Sequence, residues 1–89
     1  MKDSRGYYYH PFPQNKAVRM YVREAGGDFE FRMWSRDDDK LWQEHGWVPY
    51  SAILQAQEMY TGKGFDPRRA YDLDLARCLI EEMRQDRSK

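Results

Sequence analysis

Arginines and aromatic rings recur at every second position along two neighbouring stretches, Arg19, Tyr21 and Arg23 in one and Glu30, Arg32 and Trp34 in the other. Such a set can stack on nucleic-acid bases or anchor a protein partner, because guanidinium groups and aromatic faces bury area at low entropic cost. The same residues can also satisfy one another across two strands as cation–π and ion pairs. Arg19, Tyr21, Arg32 and Trp34 are therefore the candidate partner-binding residues.

A second basic group, Lys63, Arg68 and Arg69, surrounds the glycines of Thr61-Gly62-Lys63-Gly64-Phe65 and precedes a helix-forming stretch. Free N–H groups at a helix start attract anions, which makes these three the candidate anion site. Gly62-Lys63-Gly64 lacks the spacing of a phosphate-binding P-loop and its Ser or Thr, and Asp66 opposes an anion.

Metal and catalytic chemistry find less. His10, His45 and Cys78 have no ligand spacing among themselves, and the run Asp37-Asp38-Asp39 is accounted for by a helix start. Cys78 has no histidine near it in sequence, and adjacent carboxylates such as Glu81 and Glu82 diverge on a helix. No catalytic residue, metal site or cofactor is assigned, and the chain reads as non-enzymatic. The stretch Leu41 to Tyr50, with Trp42 and Trp47 around Gly46, can form a hydrophobic hinge or a pocket with His45 as its polar group.

These residues must be positioned by a small fold. With 89 residues the chain supports one core, read here as a partly ordered arm over residues 1–16 and a single α+β domain over 17–87. Lysine plus arginine equals aspartate plus glutamate at 15 each, so no global field draws the molecule to nucleic acid or an anionic membrane. Asp72, Asp74, Glu81 and Glu82 on the last helix add to the case against a nucleic-acid polymer. No apolar run approaches about 18 residues, which argues against a membrane span. The lone Cys78, set among Ala76, Leu79 and Ile80, reads as a buried thiol in the reducing cytoplasm.

The expected architecture is an antiparallel β-hairpin packed against two or three α-helices in the order β-β-α-α-α. Residues 17–24 and 28–35 alternate with period two and flank Gly26-Gly27, which suits a tight turn. Placing Ala25 opposite Asp28 sets Val22 against Phe31, Met20 against Met33, Arg23 against Glu30, Tyr21 against Arg32 and Arg19 against Trp34. A slip of one residue would scatter the apolar face Val18, Met20, Val22, Phe29, Phe31, Met33 between core and solvent.

Tyr7-Tyr8-Tyr9 has the composition for a third, edge strand without requiring one, the first five residues should fray, and Pro11 and Pro13 exclude a helix. A short helix capped at Ser35 should carry Leu41 and Trp42 inward and end at Gly46 in the left-handed conformation. A second helix should start at Pro49, with Ala52, Ile53, Ala56, Met59 and Tyr60 inside. A third should reach Gln85 from Asp66-Pro67, or from Asp72 or Asp74, with Leu73, Ala76, Ile80 and Met83 inside and Leu75 and Leu79 beside them. The function this supports is a small interaction module for a protein partner or a second copy. The alternative is weak nucleic-acid or anion binding through the hairpin face and the Lys63 loop.

Overall fold

Alternating β-branched and aromatic residues on both sides of Gly26-Gly27 build the centre of the molecule. In the computed structural model, which describes residues 1–59 and 71–87, strands β3 (Val18–Ala25) and β4 (Asp28–Ser35) pair antiparallel. Gly26 and Gly27 take φ of 60° and 80°, the left-handed values a two-residue hairpin turn needs. The register has Ala25 opposite Asp28, Val22 opposite Phe31 and Arg19 opposite Trp34, as the alternation requires.

The sheet extends beyond that hairpin to five antiparallel strands in chain order. Strand β2 (Gly6–Tyr9) adds along β3, and β1 (Lys2–Asp3) lies outside it, so the tyrosine strand is an interior one rather than an edge. The start of the chain, expected to fray, is instead paired in the sheet and tied by side-chain contacts to Asp86 near the other end of the chain. The Lys2 ammonium lies 3.4 Å from Asp86, the Tyr7 hydroxyl donates to the same carboxylate, and Tyr7 and Tyr9 are core residues.

Helix α1 (Asp39–Glu44) follows β4. Its cap is Asp38, whose carboxylate accepts from the Lys40 amide at 3.2 Å, and not Ser35. Ser35 ends β4, and its hydroxyl accepts from Asp37 N at 3.2 Å, so it is used in the turn ahead of the helix. The helix ends with His45 extended (φ −114°), and Gly46 is not left-handed.

Val48–Pro49 then forms the last strand, β5, opposite Phe31 and Glu30. Pro49 was expected inside the second helix. It sits instead on an outer strand, where a missing N–H costs no ladder bond, and α2 (Tyr50–Met59) begins one residue later.

Helix α3 (Leu73–Arg87) starts at Asp72, whose carboxylate accepts from Leu75 N at 3.1 Å. The alternative start at Asp66-Pro67 and the loop Thr61 to Phe65 lie outside the described residues.

Helices α2 and α3 cover one face of the sheet. The core joins Tyr7, Tyr9, Met20, Val22 and Phe31 to Ile53, Ala76, Leu79 and Ile80, with Phe29, Met33 and Met83 half-buried at its margin. The buried stripe of α3 is narrower than expected, and Leu75 and Cys78 are exposed. Cys78 lies about 200° around the helix from Ala76, so both cannot face the sheet. On α2 Ile53 is buried, but Ala56 faces solvent. No helix among the described residues is long and apolar enough to cross a membrane.

Candidate functional site

The opposite face of the sheet carries the arginine and aromatic set, and the chain covers much of it with its own residues. Tyr8, Arg19, Tyr21, Arg23, Arg32 and Trp34 share this face through the strand register. Helix α1 and the segment after it lay two indoles across it. Trp42 meets Tyr21 edge to face at 5.2 Å, and Trp47 meets Trp42 at 6.0 Å. Arg32 stacks on Trp42 at 3.9 Å, and its Nε donates to the Trp42 carbonyl at 3.0 Å. Arg23 covers Trp47 at 4.3 Å while bonding Glu30 at 2.6 Å.

The other end of the face is organised by Asp3. Its carboxylate accepts from the Tyr21 hydroxyl, from Arg19 Nη1 at 2.7 Å and from the Arg5 amide at 2.7 Å. Arg19 also lies over Tyr8 at 4.6 Å and Trp34 at 5.1 Å, and its Nε is buried with no hydrogen-bond partner among the described residues. Partial burial works to raise the Asp3 pKa, but the Tyr21 hydroxyl, the Arg5 amide and the Arg19 guanidinium outweigh it and hold the carboxyl below its ordinary 3.8. Burial first, and donation to Asp3 second, push the Tyr21 phenol up, so it remains a donor at neutral pH.

A carboxyl whose pKa is depressed by folding stabilises the fold above its unfolded pKa and loses that contribution as pH falls through the folded value. Asp3→Asn is expected to cost about 1–3 kcal/mol near neutral pH by weakening charge-assisted bonds. Urea unfolding of both proteins should show the gap closing as pH falls below 3.8. A gap independent of pH would show that the charge on Asp3 contributes nothing.

The four candidate partner-binding residues are thus brought together, but unequally placed. Tyr21 is fully buried, at 0% exposure, and reaches no partner while α1 is in place. Arg19 and Arg32 are committed to Asp3 and to Trp42, whereas Trp34 is half-buried and borders a cavity. Lys63, Arg68 and Arg69 lie outside the described residues. His45 is exposed and lines a cavity of about 230 Å³ with Leu41, Val48 and Tyr71. No group of His, Cys, Asp and Glu among the described residues is arranged to hold a metal.

A different concavity, about 450 Å³, opens where the loop after β2 meets the start of α3. Tyr9, Pro11, Phe12, Pro13, Asp72 and Leu75 line it. The loop is held in shape by its own bonds: Asn15 N donates to Phe12 O at 2.8 Å, Ala17 N to Asn15 Oδ1 at 3.2 Å, and the His10 ring meets Val18 O at 3.2 Å. The Tyr9 hydroxyl accepts from Asp72 N at 2.9 Å and ties the loop's base to α3. Pro11 is buried, while Phe12 on the loop and Leu75 on α3 are each 43% exposed.

Sequence reasoning singled out neither Asp3 nor Leu75, since an acid near the chain start and a leucine on an amphipathic helix carry no local signal. No family model, curated protein or solved structure matches the chain.

Proposed function

We propose that this chain is a non-enzymatic protein-interaction module that receives an apolar side chain of a partner in the groove between Phe12 and Leu75. The observation that carries this reading is a pair of large apolar side chains left in solvent, one on the loop after β2 and one on α3, that line one groove. Single exposed apolar residues are common, but two bordering a shared concavity form a contact patch. Pro11 and Pro13 fix the backbone on both sides of Phe12, so the loop loses little entropy when it binds. The arginine and aromatic face contributes less to this role than its composition suggested, because α1 already occupies Tyr21.

A random peptide library displayed on phage and panned against the whole chain tests this directly. Enriched peptides should share a bulky apolar residue and shift the NMR signals of Tyr9, Phe12 and Leu75. Leu75→Ala and Phe12→Ala, both at exposed positions and expected to fold normally, should each weaken binding about tenfold or more. Failure to enrich any peptide, or peptides that bind both variants as well as the parent, would refute the assignment.

A further inference from the structure

Arg5, Trp34, Arg36, Asp39, Trp42 and Gln43 border a concavity of about 330 Å³ on the outer face, where β4 ends. We infer that this slot binds a nucleoside monophosphate whose base carries an exocyclic amino group, with the base on Trp34 and the phosphate on Arg5 and Arg36. The site is separate from the Phe12 groove and stands on different residues.

The two arginines are those of the face with least to hold them. The Arg5 guanidinium lies over the Trp34 ring at 5.0 Å and has no carboxylate partner among the described residues, the bond to Asp3 being made by the Arg5 amide. Among the described residues the Arg36 side chain meets only its neighbour Asp37, at 3.8 Å, with both side chains more than two-thirds exposed, a pair that solvent screens almost completely. Two weakly held guanidiniums beside a half-buried indole supply charge for a phosphate and a plane for a base. A base can take the place of the Arg5 guanidinium on the ring, one planar group for another, and free Arg5 to bond the phosphate. Arg19 remains fixed to Asp3 and keeps its own contact with Trp34, so the ring stays in place during the exchange.

Asp39 decides the ligand class. A carboxylate in the slot disfavours a bare anion but accepts from an amino group such as that of adenine, and it repels the carbonyl that uracil presents instead. A mononucleotide also needs no long-range field, which suits a chain with equal numbers of acidic and basic residues.

Titration of the whole chain with AMP, followed by tryptophan fluorescence and by the indole N–H signals, should show saturable changes at Trp34 and Trp42 below about 10 mM. UMP and inorganic phosphate should bind several-fold more weakly, and added salt should weaken AMP. Arg5→Ala should bind about tenfold or more weakly; with the Trp42 indole as the reporter, Trp34→Ala should abolish the AMP-induced change, while Trp34→Phe, which keeps a ring and guards against misfolding, should retain most of it. The inference is overturned if the indole signals do not saturate with AMP, if phosphate alone reproduces the shifts, or if a folded Arg5→Ala binds as the parent does.

Discussion

Phe31→Ala should leave the chain largely unfolded or lower its melting temperature by well over ten degrees. Phe31 is fully buried at the middle of β4, opposite Val22 on one side and Val48 on the other. Its ring packs against Tyr71 at 5.5 Å and Tyr50 at 6.1 Å. It therefore joins three strands to the start of α2 and to the residues ahead of α3. Removing a buried phenyl group typically costs about 3–5 kcal/mol, and a chain of this size has roughly 4–13 kcal/mol in total. Each kcal/mol lost lowers the melting temperature by about 4–8 °C in a domain this small. Phe31→Leu, which retains most of the volume, should lose only about 1–2 kcal/mol. Urea and thermal unfolding of the three proteins would decide the matter, and a loss below about 1 kcal/mol for the alanine variant would mean that the two helices are held without this side chain.

Trp42→Ala should have the next largest effect, about 2–4 kcal/mol, for a half-buried indole that roofs a fully buried tyrosine. The variant takes away the ring on which Arg32 stacks and the edge-to-face contact with Tyr21, and it separates Trp47 from its aromatic neighbour. Helix α1 is short and has no buried residue of its own, so its position depends on contacts of this kind. Two readouts are expected to move together: a lower urea midpoint, and binding of a hydrophobic dye as Tyr21 becomes accessible. Trp42→Phe should restore part of both. A stable Trp42→Ala protein that binds no dye would show that Tyr21 is covered by something other than α1.

The contrast between these two substitutions also locates what was legible in the sequence. Phe31 belongs to the inner face, which follows from period-two alternation and the glycine turn alone, and its partner Val22 could be named from the register before any coordinates. Trp42 could be placed on a short helix, but the expectation that it points inward is not met, since it covers Tyr21 on the outer face of the sheet. A five-residue displacement between Trp42 and Trp47, with Gly46 between them, leaves the direction of both rings to the path of the chain after β4. The same limit applies to Leu75 and Cys78. Both sit in a wide apolar arc, and only packing against the sheet selects Ala76, Leu79 and Ile80 from it.

The candidate sites divide in the same way. The arginine and aromatic face could be read as a set, Arg19, Tyr21, Arg32 and Trp34 together, because strand pairing is local in this hairpin. That it is internally occupied could not be read, because the occupants come from Asp3 on one side and Trp42 on the other, far apart in sequence. The groove between Phe12 and Leu75 joins residues from opposite ends of the chain, and neither marks itself as half of a pair.

By itself, then, the sequence determined the α+β class, the turn at Gly26-Gly27, the register of β3 with β4, and which face of the hairpin turns to the core, with Met20, Val22 and Phe31 inside it and Phe29 and Met33 at its margin. The reason is that backbone alternation and glycine conformations act over a few residues and leave one register without a cost. Tertiary structure alone decided that Lys2–Asp3 and Gly6–Tyr9 belong to the sheet, that Tyr21 is sealed by α1, and that Trp34 and Phe12 keep surface to offer. Those outcomes depend on contacts between distant segments, whose geometry is set only when the whole chain packs.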